Sequence, residues 1–181
     1  KLSKFKNKII TDIDLFFLEN NNSKSIVITG TNGKSTTCKL LQHLFIKNNF
    51  KCFLGGNIGV PILDVKNTKN SYVIIEASSF QLSHSKFIRP DFAFFLNLSN
   101  DHLDWHGNIN NYLNSKLKIF SQQTKNQYAI LNRKLRKKFY KKSFLSKLIL
   151  PDIIKYYTKH IFYRSQYNFN YIVYSNVIFQ F

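Results

Sequence analysis

The most pointed chemistry in this chain lies in Gly30-Thr31-Asn32-Gly33-Lys34-Ser35-Thr36, which follows the apolar run Ser25-Ile26-Val27-Ile28-Thr29. Glycines in a tight turn let backbone N–H groups converge on an anion, and a helix beginning there adds its positive end. Lys34 supplies a charge for terminal phosphates, and the hydroxyl of Ser35 or Thr36 can reach Mg2+. The pattern is GxxGKS, because Ile28 stands where the longer phosphate-loop pattern has its first glycine. A second candidate is Glu76, directly after the apolar Tyr72–Ile75. A carboxylate at the carboxyl end of a parallel strand points into the crevice where ligands bind. Beside phosphates its natural partner is Mg2+, a hard cation; the competing reading is an acid at a helix start. The segment from Asn97 to His106 gathers Asp101, His102, Asp104 and His106, a mixture that suits a metal. Taken singly, His106 reads as a surface residue, and His43 and His84 as structural. Gly55-Gly56-Asn57-Ile58-Gly59-Val60-Pro61 reads as a turn on its own. Lys116 lies one position off the stripe Ile109, Leu113, Leu117, Phe120, where a lysine is ordinarily solvated.

Alternating elements must position these groups. Strands are expected at Ser25–Thr29, Lys51–Leu54, Tyr72–Ile75, Phe92–Leu98 and Tyr128–Leu131. Helices are expected at Lys34–Ile46 and Ile109–Phe120, and a further helix and strand within Phe139–Leu150. Strands separated by helices imply an α/β fold, a parallel sheet with helices on both faces. All six glycines fall between 30 and 107, whereas ordinary usage of ~7% would place about five in the stretch from 108 onward. The chemistry should therefore concentrate early. Residues 23–150 are expected to form one domain, with 1–22 as the end of a preceding domain or a linker. No role is assigned to the tail 151–181.

The bulk properties narrow the class. The 181 residues are 44% hydrophobic, enough for one domain with a core. No apolar run reaches the ~18 residues of a membrane span, and Asp12 and Asp14 interrupt the basic-then-apolar start, which argues against a signal peptide. The absence of Met suggests an internal piece of a longer protein. Cys38 and Cys52 have no metal spacing and read as reduced, buried thiols. The net charge of +18 invites a nucleic-acid partner. Much of it, however, lies between 133 and 164, where Asp152 is the one acid, and such runs are usually solvated faces. With no base-stacking motif or groove-reading helix in evidence, nucleic acid is not expected as a partner.

TGTNGKST, GGNIGVP, EASSFQL, LNLSNDHLD and the Tyr112–Lys116 segment YLNSK, in this order within 25–132, resemble the Mur ligase family, which includes the folylpolyglutamate synthases. The GGNIG loop and the EASSFQL segment resemble its D-glutamate-adding branch. The resemblance implies the family's P-loop central domain, here incomplete, and an ATP-dependent amide-bond ligation using ATP and Mg2+. It implies UDP-N-acetylmuramoyl-L-alanine and D-glutamate as substrates, in cytoplasmic peptidoglycan synthesis by a monomer. By the same resemblance Gly30, Thr31, Asn32, Gly33, Lys34, Ser35 and Thr36 hold the nucleotide, and Asn57, Ser78 and Gln81 face the substrate. Ser35, Glu76, His102 and a carbamylated Lys116 hold Mg2+, and Lys34, Glu76, His102 and Lys116 are the catalytic set. A piece of this length is expected not to turn over alone. Another Mur or folylpolyglutamate-type ligase and a basic nucleic-acid-binding module are the alternatives.

Overall fold

The computed structural model describes residues 9–19, 22–66 and 68–151, together with the backbone of 171–174 and 177–180. Its centre is a parallel sheet of six strands: β1 (Lys24–Thr29), β2 (Cys52–Gly56), β3 (Tyr72–Glu76), β4 (Phe92–Phe95), β5 (Tyr128–Leu131) and β6 (Lys147–Ile149). They lie in the order β2-β3-β1-β4-β5-β6. The register sets Ile28 of β1 beside Glu76 of β3 and beside Phe94 of β4. The helices are α1 (Asp12–Glu19), α2 (Lys34–Lys47), α3 (Ser79–His84), α4 (Leu103–His106), α5 (Ile109–Leu117) and α6 (Arg136–Lys141).

Strand residues alternate between two cores, which is why the strands read as unbroken apolar runs. Val27, Ile75, Phe95 and Leu131 face one core with Ile13, Leu82, Leu113 and Phe139, so α1, α3, α5 and α6 cover that side. Ile26, Ile28, Ile74, Phe94 and Ile130 face the other, where Cys38 and Leu41 of α2 meet them. Helices thus lie on both faces, as expected, but unevenly among the described residues. The single helix expected over Ile109–Phe120 divides into α5 and a 3-10 turn at Lys118–Phe120. The strand expected to run to Leu98 stops at Phe95, freeing the following residues to bond the loop after β1.

Within 1–22, α1 packs into the first core through Ile13 and Phe16. Its buried Asp14 accepts hydrogen bonds from the backbone N–H groups of Lys86 (2.9 Å) and Phe87 (2.8 Å), fastening the helix to the segment after α3. Of the tail, β7 (Tyr171–Tyr174) and β8 (Val177–Gln180) form an antiparallel pair; the remainder of 152–181 lies outside the described residues.

Candidate functional site

The loop between β1 and α2 sits at the carboxyl edge of the sheet, between neighbours that lead away in opposite directions, where open α/β sheets bind ligands. Gly33 has φ 82 and precedes α2, whose start carries no side-chain cap. The first-turn N–H groups of α2 are thereby left for an anion. Gly30 is closely packed: a Cβ there would lie 3.1 Å from the Cβ of Leu96, so any side chain would have to push that neighbour aside.

The segment after β4 straps this loop in place. Asn97 accepts from the N–H of Asn32 at 2.9 Å and donates to its carbonyl at 3.0 Å. Thr31 accepts from the N–H of Ser99 at 3.0 Å, and the Tyr112 hydroxyl donates to Thr31 Oγ1 at 3.3 Å. Sequence reasoning did not single out Asn97 or Tyr112 as supports for the loop; the signal was their place within two motifs already noted.

Two lysines converge on one carbonyl. Lys34 Nζ donates to Gly30 O at 3.1 Å and to Thr31 O at 2.9 Å, while Lys116 Nζ donates to Gly30 O at 2.8 Å. Lys116, which its position beside the helical stripe marked as solvated, is 1% exposed. Its amine lies 4.6 Å from the centre of the Tyr112 ring. Burial, reinforced by the nearby charge of Lys34 and partly offset by Asp101, lowers its pKa to about 7.

Glu76 ends β3 and is buried. Asn57 Nδ2 donates to its Oε1 at 2.9 Å, and the backbone N–H of Asn57 donates to its carbonyl at 2.9 Å. Gly56, at φ 100, permits this wrap, since a Cβ there would lie 2.5 Å from the Glu76 carbonyl oxygen. The other carboxylate oxygen, Oε2, has no hydrogen-bond partner. The helix-cap reading of Glu76 is replaced by the geometry, because Ser78 caps α3. Ser78 Oγ accepts from the N–H of Gln81, and Gln81 Oε1 accepts from the N–H of Ser78 at 3.1 Å, a reciprocal capping box. Ser78 and Gln81, expected at the substrate, are thus engaged with each other, and Asn57 with Glu76.

His102 stands at φ 51 before α4, half-exposed, with Nε2 3.4 Å from Asp101 Oδ2 and its ring 4.9 Å from that of Phe80. His106 corrects the surface reading: it is 6% exposed, wedged between Ser79 and Ser115. Burial first, then the charge of Lys116, pushes its pKa down. Among the described residues no three His, Cys, Asp or Glu side chains gather as a metal cluster. The buried, open oxygen of Glu76 nevertheless suits Mg2+, which commonly takes one or two carboxylates and completes its shell with phosphate and water. Both thiols are free; Cys38 is buried as expected, whereas Cys52 on the edge strand β2 is only half-buried, and burial pushes Cys38 well up and Cys52 up to about 11. A cavity of about 780 Å³ opens at the opposite, amino ends of the strands, lined by Lys24, Tyr72, Arg89 and Asp91 and by none of the motif residues.

A parallel sheet with a glycine loop, an uncapped helix start and two converging lysines is an α/β arrangement suited to holding a phosphate. The chain belongs to the Mur ligase family: the Mur ligase middle domain matches residues 28–167. It is 46% identical over 128 residues to the UDP-N-acetylmuramoylalanine--D-glutamate ligase of Rickettsia prowazekii (strain Madrid E), covering 71% of this chain and 28% of that protein. The ligase of the same name from Pseudothermotoga lettingae is 38% identical over 144 residues, covering 80% of this chain and 34% of that protein. The chain therefore spans about a third of the length of these relatives. Among solved structures, MurF ligase from Thermotoga maritima in complex with ADP superposes with a TM-score of 0.61 at 24% identity, covering 76% of this chain and 34% of that one. E. coli FolC in complex with DHPP and ADP gives 0.55 at 16% identity, covering 77% and 46%. These structural likenesses establish the shared fold.

Proposed function

We propose that this chain is the nucleotide-binding part of an ATP-dependent ligase that joins D-glutamate to UDP-N-acetylmuramoyl-L-alanine. The observation that carries the reading is the convergence of Lys34 and buried Lys116 on Gly30 beside an uncapped helix start. The names of the relatives supply the substrates. Residues 23–150 form the central domain in this reading, with 1–22 leading into it. No helix among the described residues is long and apolar enough to cross a membrane.

The reaction begins with transfer of the ATP γ-phosphoryl group to the alanyl carboxylate, giving an acyl phosphate and ADP. The amine of D-glutamate attacks the acyl carbon, and the tetrahedral adduct collapses with loss of phosphate. Catalysis in such transfers rests on positioning and on charge stabilisation. Lys34 turns from the loop carbonyls to the terminal phosphates, and the N–H groups of Gly33 to Thr36 hold the phosphate oxygens. Glu76, Ser35, His102 and Lys116 would hold Mg2+, which supplies neutralisation of the phosphate charge. Asn57 fixes the Glu76 carboxylate; Ser78 and Gln81 would face the substrate in this reading.

Lys116 in this reading is carbamylated: its neutral amine adds to CO2, an N–C bond forms as one C=O π bond opens onto oxygen, and one proton leaves the nitrogen for solvent. A pKa of about 7 leaves much of the amine neutral and nucleophilic near neutrality. The resulting carboxylate removes the repulsion between two buried-side ammonium groups. Calorimetry of Mg·ATP against this chain and Lys34→Ala tests the nucleotide site. Heat that depends on Lys34 is expected; equal heats, or none, would remove the basis of the proposal. Phosphate release by the longer protein should depend on D-glutamate, and dependence on another amino acid would place it elsewhere in the family.

A further inference from the structure

We infer that His106 is a positioning residue that clamps together the three segments carrying Glu76, His102 and Lys116, and does so as the neutral Nδ1–H tautomer. The inference rests on the metal-binding reading above for its purpose, but its geometry stands independently.

His106 is the last residue of α4, and its backbone N–H donates to the carbonyl of His102 at 3.0 Å. Its Nε2 lies 3.0 Å from Ser79 Oγ, at the first residue of α3 and three residues past Glu76. Its Nδ1 lies 3.5 Å from Ser115 Oγ, the residue before Lys116 on α5. One buried ring thus touches the segment after β3, the α4 turn and the Lys116 turn. Phe80 stacks on it with centroids 5.8 Å apart, and Tyr112 closes another side at 5.0 Å.

The proton arrangement follows from donor and acceptor capacity. Ser115 Oγ donates to the carbonyl of Asn111 at 3.0 Å, which uses its single hydrogen. Toward His106, Ser115 can then only accept, so Nδ1 must carry the proton. A neutral imidazole with Nδ1–H has a bare Nε2, and Ser79 Oγ–H donates to it. The result is a directed chain from Ser79 through His106 and Ser115 to Asn111. The chain spans α3, α4 and α5, and its loss frees the spacing of the three proposed ion-holding residues without removing any of them.

The test uses this chain with 15N-labelled histidine, together with His106→Phe, Ser79→Ala and Ser115→Ala. Two-bond 1H–15N spectra at pH 7 are expected to show His106 with a protonated Nδ1 and an unprotonated Nε2, and Ser79→Ala to shift the Nε2 resonance. An Nε2–H tautomer or a doubly protonated ring would overturn the assignment. Mn2+ binding in the presence of a non-hydrolysable ATP analogue, followed by electron paramagnetic resonance, is expected to weaken about tenfold in His106→Phe, with metal-free nucleotide affinity unchanged. His106→Asn, which retains a donor near Nδ1, is expected to recover part of the loss. Should His106→Phe fail to fold, Ser79→Ala carries the same expectation with a smaller loss. Wild-type Mn2+ affinity in both variants overturns the clamp alone. Absence of Mn2+ binding in the wild type overturns the metal reading itself, and with it the purpose given to the clamp.

Discussion

At the scale of single residues, Lys116 connects burial to chemistry most directly. Its folded-state pKa of about 7 lies below the 10.5 of a free lysine. Below pH 7 both folded and unfolded chains carry the proton, so the folded state bears the full cost of a buried charge. Between about 7 and 10.5 the unfolded chain binds more protons, and stability must rise with pH. The slope is at most about 1.4 kcal/mol per pH unit. Urea midpoints measured in CO2-free buffer from pH 7 to 9 are expected to climb in the wild type and to flatten in Lys116→Met. A flat wild-type profile would mean that the amine is solvated. Glu76→Gln probes the opposite partner: Asn57 can still donate to the retained carbonyl oxygen, so the fold should hold within about 1 kcal/mol. Divalent-ion affinity in the presence of nucleotide is expected to fall by at least tenfold, as titration of Mn2+ would show.

At the scale of elements, the loops that shape the site depend on backbone geometry that few residues allow. Gly56→Ala places a methyl 2.5 Å from the Glu76 carbonyl at φ 100. A destabilisation of roughly 2–4 kcal/mol is expected from the strain and the overlap together, measured by denaturant unfolding. Asp14→Ala removes the acceptor for the Lys86 and Phe87 N–H groups and should cost about 1–3 kcal/mol, without changing nucleotide affinity. The contrast between these elements marks what was legible in the sequence. Phosphate loop, central strands and α2 were plain because the strands are apolar runs buried on both faces, and β1 leads directly into the glycine loop that starts α2. The short helices α3 and α4 were not, since four to six residues show no periodicity. Lys116 and His106 were misjudged as exposed when taken singly, because burial of a polar side chain is decided by partners far along the chain. Gly30 O lies 86 residues from Lys116, and Ser79 Oγ 27 residues from His106.

At the scale of the molecule, the charge is the feature that composition announces and the site does not use. Between 133 and 147 eight Lys and Arg side chains are exposed on and around α6, with no acidic residue among them. Away from this face, Lys24 is paired with Asp91 at 3.2 Å. A surface so one-sided repels itself, and salt within a Debye length of about 10 Å at 0.1 M screens that repulsion. Raising NaCl from 20 to 200 mM is therefore expected to raise the melting temperature of this chain. Replacing Lys137, Lys138 and Lys141 by Glu should raise it at low salt and blunt the salt response. Nucleotide binding adds to stability through a separate route: Mg·ATP at a hundredfold excess over its Kd contributes about 2.7 kcal/mol by linkage. For a chain of this size that corresponds to roughly 5–10 °C in Tm. The two routes separate experimentally, because Lys34→Ala should abolish the nucleotide increment and leave the salt increment intact. If duplex DNA reproduced the nucleotide increment in Lys34→Ala, the basic face and not the loop would be the molecule's anion site.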